Sequence, residues 1–166
     1  MAVIGIDPGT ALTGFGIIDE SADGSLVVLE YGVIETFPDQ NDAKRLNIIF
    51  SRLDKILSLY SIKSSAVERL FFQKNTKTAI SVGQARGVIL LALEQAGLEI
   101  HEYNPVEIKQ AVTGFGQASK MQVQEMVRVL LGLEKTPKPD DAADALAVAI
   151  CHIHSRKLNL LQQESK

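Results

Sequence analysis

Three short apolar runs open this chain, and the shortness of the links between them limits the possible folds more than any other feature. The runs are AVIGID (residues 2–7), TGFGIIDE (13–20) and LVVLEYGVIET (26–36), and their β-branched residues favour strands. The links PGTAL and SADGS are a tight connection and a Ser-, Asp- and Gly-containing turn. Because parallel neighbours need a crossover of a dozen or more residues, these strands are predicted to form an antiparallel meander.

The rest of the chain alternates helices with two further short strands. The predicted elements are a helix with an apolar face from Leu46 to Tyr60, a strand ending at Glu68, a long helix over 76–95, a strand over 99–103, helices capped at Asn104 and Ser119, and a last helix over 141–154. This order predicts an α/β fold, with a five-stranded mixed sheet flanked by helices. We expect one domain over residues 1–156 and a polar, flexible tail over 157–166.

Composition restricts the setting and the partners of the chain. No run is long enough to span a bilayer, and the single cysteine, Cys151, cannot form an internal disulfide, so a reducing cytoplasm is expected. The net charge of −3 argues mildly against a nucleic-acid partner. However, residues 69–93 contain basic side chains and no acid, and a local positive field can attract phosphate. Its basic residues are Arg69, Lys74, Lys77 and Arg86.

Four acidic residues stand at unusual places. Asp7 and Glu68 end apolar strands, while Asp141 and Asp144 share one face at the start of the last helix. That helix continues as ALAVAIC, so Asp144 is expected to be buried and to need a partner or a cation. Clustered carboxylates repel one another unless a cation lies between them, and ligand sets of oxygen atoms suit Mg²⁺. The pattern therefore predicts a site for one or two divalent ions that cleaves phosphodiesters.

A simpler interpretation exists for each acid taken alone. Asp140 and Asp141 are suitable first-turn helix residues, because negative charge is favourable there. A strand-end acid such as Asp7 often only begins a loop. The metal site is favoured because the acids come from several elements that a mixed sheet can bring together.

Four separated motifs resemble one known family in the same order. They are GIDPGT…TGFGII, VERLFFQKN…SVGQARGVIL, NPVEIKQAVTGFGQASKMQVQ and DDAADALAVAICH, and they cover residues 2–154. They are similar to the RuvC Holliday junction resolvases. The resemblance implies a ribonuclease H-like fold and a homodimeric endonuclease that nicks two opposing strands of a four-way DNA junction during recombination and repair. It also implies Mg²⁺ or Mn²⁺ as cofactor, with two ions per site, held by Asp7, Glu68, Asp141 and Asp144. A branch-migration complex is an expected partner.

The resemblance also indicates residues that contact DNA and the second subunit. The family's basic positions fall on Lys109 and Lys120, and Lys120 follows a glycine-rich loop at a predicted helix start, where phosphate binds favourably. The family's aromatic residue after the glutamate falls on Phe71, which would stack on unpaired bases. Lys74 and Lys77 are added from the basic stretch. The small residues Ala79, Gly83 and Gly87 form a stripe that would let two long helices approach closely, unless it packs on its own sheet.

Other functions remain open from the sequence. GIDPGT also resembles the first phosphate motif of actin-like ATPases and sugar kinases, but those need two such domains and 166 residues are too few. A DNA-binding module without chemistry would gain nothing from four acids facing phosphate. A nuclease for an RNA–DNA hybrid or a flap has the same expected active site. His152 and His154 are predicted to be surface residues, and Cys151 a small buried apolar one.

Overall fold

The computed structural model describes residues 1–70 and 76–164, without the side chains at 76–78, 160, 161, 163 and 164. Its strands are β1 (Ala2–Asp7), β2 (Leu12–Glu20), β3 (Leu26–Glu35), β4 (Ile62–Glu68) and β5 (Ile100–Tyr103). Its helices are α1 (Asp42–Leu59), α2 (Thr76–Gln95), α3 (Pro105–Thr113), α4 (Lys120–Leu130) and α5 (Asp140–Glu164). Both predicted N-caps are present, since Asn104 and Ser119 each form a capping box, with Glu107 and Gln122.

The strands form one five-stranded sheet in the order β3-β2-β1-β4-β5. The first three strands are antiparallel neighbours, whereas β4 and β5 run parallel to β1 and to each other. The predicted mixed sheet with an antiparallel meander is therefore confirmed. Because β1 and β4 are parallel neighbours, their carboxyl ends lie at the same edge of the sheet.

Helices cover both faces of the sheet, and side chains that alternate along β1 divide between two cores. Ile4 and Ile6 pack with α1 and α2, while Val3 packs with α3, α4 and α5. Helix α5 is buried around its circumference from Ala145 to Ile153. It therefore forms the centre of the second core, as its apolar sequence predicts.

Glycines in β1 and β2 allow α5 to lie directly on the sheet. A Cβ atom at Gly5 would overlap the Ala145 carbonyl oxygen, and one at Gly14 would overlap that of Asp141. At Gly16 an added Cβ would meet the side chain of Leu146 at 2.7 Å. The missing side chains thus fix the depth and position of the first turns of α5.

Two predictions about α5 are wrong. The helix continues to Glu164 instead of ending near His154, and Lys157 in this extension lies 2.8 Å from Glu20 of β2. His152 is buried, at 2% exposure, instead of lying on the surface. Its Nε2 lies 2.8 Å from Ser64 Oγ and its Nδ1 2.9 Å from Tyr103 Oη, so two strands supply partners for the ring. None of the described helices is long and apolar enough to cross a membrane.

Candidate active site

The carboxyl ends of β1 and β4 bring Asp7 and Glu68 together. The register pairs Ile6 with Val67, so the next residue of each strand lies at the shared edge. Both side chains are partly buried, and the two carboxyl groups lie close enough to shift each other's pKa. The ends of two parallel strands thus bring two acids into direct interaction.

The first turns of α5 add Asp141 and Asp144 to the same edge. Gly14 is the strand partner of Asp7, and the Asp141 carbonyl lies directly over it. This close contact places the start of α5 beside the end of β1. The side chain of Asp144 is 26% exposed, whereas that of Asp140 is 42% exposed and lies 2.7 Å from Lys138 Nζ. The geometry therefore directs Asp144 towards the cluster and Asp140 away from it.

The electrostatics of Asp7 show how closely these acids interact. Burial raises the pKa of Asp7 to about 8, and the charges of Glu68, Asp144 and Asp141 add to the effect. Burial and then the charge of Asp144 raise the pKa of Glu68, while its hydrogen bond with Asp7 opposes that rise. A cation at this edge would offset the repulsion between these carboxylates.

Two lysines border the acids. Lys109, Lys120, Glu68 and Asp144 line a common cavity of about 260 Å³. Lys120 Nζ lies 2.9 Å from Asp144 and 3.6 Å from Asp140. Burial raises the pKa of Asp144, and its hydrogen bond with Lys120 partly offsets that rise. The cavity therefore has acidic and basic walls, which is suitable for a site that holds both a cation and a phosphate.

The acids fit a hard divalent ion by their chemistry. Their donor atoms are all carboxylate oxygens, which Mg²⁺ prefers, and their pKa values are raised by burial and by the charges of neighbouring carboxylates. Within residues 1–70 and 76–164, no three acidic, histidine or cysteine side chains converge closely enough to form a preformed metal site. Binding an ion here would require the carboxylates to move closer together.

Several predicted residues cannot be placed or lie away from the acids. Phe71 and Lys74 are outside the described residues, and so is the side chain of Lys77. The glycines of the α2 stripe, Gly83 and Gly87, are exposed, and a Cβ at either would meet nothing within 4 Å. Within the described part of the chain, these two glycines therefore have no packing partner on their own sheet, whereas Ala79 is partly buried.

Sequence reasoning missed the role of the docking glycines. Gly5, Gly14 and Gly16 stand inside strands, where glycine usually indicates a close backbone approach. That signal was available in VIGID and TGFG. The sequence does not say that the approaching element is α5.

Comparison with known proteins identifies the family of this chain. The family model described as "Crossover junction endodeoxyribonuclease RuvC" matches residues 3–152. The chain belongs to the RuvC family. A RuvC of Heliobacterium modesticaldum is 56% identical over 155 residues, which are 93% of this chain and 95% of that protein. A RuvC of Caldicellulosiruptor saccharolyticus is 51% identical over 164 residues, 99% of each chain.

Solved RuvC structures share the fold of this chain at more than 30% sequence identity. Thermus thermophilus RuvC superposes with a TM-score of 0.89 at 35% identity, covering 96% of this chain and 97% of that one. T. thermophilus RuvC in complex with a Holliday junction substrate superposes with a TM-score of 0.87 at 33% identity. The match covers 95% of this chain and 96% of that one. The predicted family, the ribonuclease H-like fold and the activity class of a Holliday junction-resolving endonuclease are therefore confirmed.

Proposed function

We propose that this RuvC-family nuclease binds four-way DNA junctions as a homodimer and nicks two opposing strands with Mg²⁺ held by Asp7, Glu68, Asp141 and Asp144. Mn²⁺ is expected to substitute, and two ions per site would suit the number of acids. The observation that carries the metal assignment is the meeting of strand-end acids with the start of α5: Asp7 and Glu68 end neighbouring parallel strands, and the Asp141 carbonyl lies over Gly14, the strand partner of Asp7. The raised pKa of Asp7 is consistent with this clustering. Such a cluster is stable in its charged form only with added positive charge.

Each acid has a distinct position in this proposal. Asp7 interacts electrostatically with Glu68, Asp144 and Asp141, so it would be the candidate for a ligand shared by two ions. Glu68 and Asp144 line the cavity together with the lysines and would hold an ion next to the proposed phosphate position. Bound divalent ions would supply positive charge that favours attack of water on the phosphodiester and departure of the leaving oxygen.

The lysines would place the phosphate. Lys120 lies in the first turn of α4, where backbone N–H groups and the helix dipole also favour an anion. Lys109 lies on α3 at the other side of the same cavity. Phosphate contacts of this kind position DNA without reading its sequence. We assign Phe71, Lys74 and Lys77 to DNA binding from the resemblance alone.

A homodimer is supported by the exposed face of α2. Ile80 and Leu91 on this helix are 68% and 51% exposed, and they flank Gly83 and Gly87 at helical spacing. Large exposed apolar side chains beside glycines suit close packing of two identical helices. A two-fold pair would present two active sites to the two opposing strands of a junction. A branch-migration complex remains an expected partner, and the buried Cys151 is compatible with the expected reducing cytoplasm.

The substrate assignment is tested by comparing three DNA or hybrid substrates. Purified protein is incubated with a synthetic four-way junction, a linear duplex of the same sequence and an RNA–DNA hybrid, each with Mg²⁺ or with EDTA. We expect paired nicks in the junction alone, and only with Mg²⁺. Cleavage of the hybrid or duplex at a similar rate would keep the nuclease and remove the junction preference.

A further inference from the structure

A second cavity borders the acids, and the proposed function gives it no role. Its volume is about 450 Å³, and its walls include Gly9, Thr10, Arg45, Ser81 and Asp141. These residues come from the link between β1 and β2 and from helices α1, α2 and α5. We call it the loop cavity, because the link between β1 and β2 forms one of its walls.

The proposed metal ligands lie between the loop cavity and the cavity with the lysines. The latter, here called the lysine cavity, is lined by Glu68, Lys109, Lys120 and Asp144. Asp141 lines the loop cavity, and Asp144 is three residues further along the same helix, so the two cavities meet at the start of α5. Helices α1 and α2 cover one face of the sheet and α3 and α4 the other. A DNA strand that crosses the acids would therefore pass both cavities.

Arg45, near the start of α1, supplies the positive charge of the loop cavity. Its Nε donates to Thr36 Oγ1 at 2.9 Å, and the Thr36 hydroxyl donates in turn to the Thr10 carbonyl at 2.6 Å. Thr36 is 3% exposed, so the guanidinium is fastened on one side to a buried group. Arg45 itself is only partly buried, and among the described side chains its Nη groups have no hydrogen-bond or ion-pair partner. A planar group held in this way can bind a phosphate through two N–H groups.

The loop adds a pair of hydroxyl groups to the same cavity. Thr10 is 8% exposed, and its Oγ1 lies 2.8 Å from Ser81 Oγ. One hydroxyl of such a pair donates to the other, so the second proton is available to a ligand. The loop is itself fixed, because the Gly9 carbonyl accepts from Thr13 Oγ1 at 2.7 Å. The donors of the loop cavity are therefore positioned before any ligand binds.

The charges of the loop cavity indicate the class of ligand. A guanidinium with two free Nη groups and a hydroxyl proton are all donors, which suits an anion with several oxygen atoms. Asp141 in the wall would repel that anion, but a divalent ion at the acids would offset its charge. Under the proposed function, the anion that comes to this place is a phosphate of the DNA backbone.

We propose that the loop cavity binds a backbone phosphate of the cleaved strand, next to the phosphate that is cut, with Arg45 and the hydroxyl pair of Thr10 and Ser81 as donors. This proposal rests on the proposed function, since it needs a DNA strand across the acids. Phosphate contacts fix the position of a strand without reading its sequence. Contacts on both sides of the acids would hold the cut phosphate in place between them.

The salt dependence of binding tests the contact. Arg45→Gln is made in an Asp7→Asn background, so that the junction binds without being cut. We expect roughly tenfold weaker binding of a synthetic four-way junction, and a slope of log affinity against log salt that is smaller in size by about 1. Arg52→Gln is the matched control, because Arg52 is an exposed arginine two turns further along α1. An unchanged slope for Arg45→Gln would overturn the proposal.

Two further variants separate the phosphate contact from the attachment of α1 to the loop. Thr36→Val removes the hydroxyl to which Arg45 donates and keeps the guanidinium charge, while Arg45→Lys replaces one cation by another. Both should keep the salt slope of the Asp7→Asn parent. If Arg45 only held Thr36 in place, Arg45→Gln and Thr36→Val would weaken binding equally and neither would change the slope. That result would contradict a phosphate in the loop cavity.

A scan with uncharged phosphate analogues locates the contact and does not depend on the folding of any Arg45 variant. Each junction of the series carries one methylphosphonate at a different position beside the mapped nick. At one position of the cleaved strand other than the nick, the analogue should weaken binding by Asp7→Asn roughly tenfold and have no further effect on the Arg45→Gln variant. A loss that is the same on every junction, or that maps to a strand that is not cut, would overturn the proposal.

The outcomes separate this proposal from the proposed function. Failure of the wild-type protein to bind and cleave the junction would remove the proposed function itself. Normal paired nicking by the wild-type protein, with the parent salt slope in Arg45→Gln and no responsive phosphate in the scan, would remove only the contact in the loop cavity.

Discussion

The ammonium group of Lys120 lies 2.9 Å from the carboxylate of Asp144, so the start of α4 delivers a positive charge to the acids at the start of α5. Lys120 is 55% exposed, and the same cavity contains Glu68 and Lys109. A lysine in this position can face the protein carboxylates on one side and an incoming phosphate on the other. Lys120 would therefore lie between the negatively charged carboxylates of the protein and the negatively charged phosphate of the substrate.

Lys120→Ala should weaken junction binding and flatten its dependence on salt. One phosphate contact fewer releases about one counterion fewer, so the slope of log affinity against log salt should fall in size by about 1. Lys63→Ala is the matched control, because Lys63 is exposed at the end of β4 opposite Glu68. An unchanged slope for Lys120→Ala would mean that this lysine only pairs with Asp144.

Gly14→Ala should reduce activity and stability together. Its methyl group would overlap the carbonyl of Asp141, and backbone cannot move aside as a side-chain tip can. We expect a loss of about 1–3 kcal/mol in the free energy of unfolding and about 10- to 100-fold in cleavage rate, since α5 must shift. Urea unfolding and a single-turnover nicking assay measure the two effects.

Gly32→Ala is the control for that substitution. A Cβ added at Gly32 would lie 3.3 Å from the edge of the Phe15 ring, and a side-chain ring can move by a few tenths of an ångström. Normal cleavage by Gly14→Ala would show that the close contact between β2 and α5 does not set the position of Asp141 and Asp144.

Acid should destabilise the protein through His152. Burial, with the charges of His101 and Arg156, lowers the pKa of His152 to about 4 from its ordinary value of 6.5. The unfolded chain therefore takes up a proton before the folded one does, and the free energy of unfolding falls as pH drops from about 6.5 to about 4. Once the pH is below about 4, protonation of His152 has lowered the free energy of unfolding by about 3 kcal/mol in total. Above pH 6.5 His152 is neutral in both states and does not change this free energy.

Comparison with His152→Gln isolates this contribution, because the other acids titrate in both proteins. Urea unfolding at several pH values should give a shallower pH dependence for the variant between 6.5 and 4. Parallel curves would mean that His152 is protonated equally easily in the folded and unfolded states.

Gly87→Arg should prevent dimerisation without unfolding the chain. Gly87 is exposed and has open space around it, so a long charged side chain fits the monomer but obstructs a second α2. Sedimentation equilibrium should show a monomer for Gly87→Arg and a dimer for wild type. Ser51→Arg on α1 is the control, since Ser51 is also exposed. A wild-type dissociation constant for Gly87→Arg would place the dimer contact elsewhere.

The sequence predicts those features that local pattern determines. Short links require the β1–β3 meander, and an aspartate in an otherwise apolar helix identifies Asp144 as unusual. The capping residues Asn104 and Ser119 were predicted because a helix start depends on residues three positions apart.

Features that depend on distant residues were missed. His152 is buried because Ser64 and Tyr103, from β4 and β5, supply its hydrogen-bond partners. The extension of α5 beyond His154 includes Lys157, which pairs with Glu20 of β2. No local pattern shows such partners, nor the contact of Gly14 with Asp141, because each needs the sheet to be assembled first.

The central claim is that Asp7 organises a metal-dependent nuclease site, and Asp7→Asn tests it most directly. Asparagine keeps the size of the side chain and removes the charge that burial and three neighbouring carboxylates oppose. Cleavage rate and junction affinity are measured for wild type and variant with Mg²⁺. We predict that Asp7→Asn binds the four-way junction at least as tightly as wild type, because one repulsive charge is gone, and that cleavage is abolished. Cleavage by Asp7→Asn at the wild-type rate would contradict the assignment of the active site.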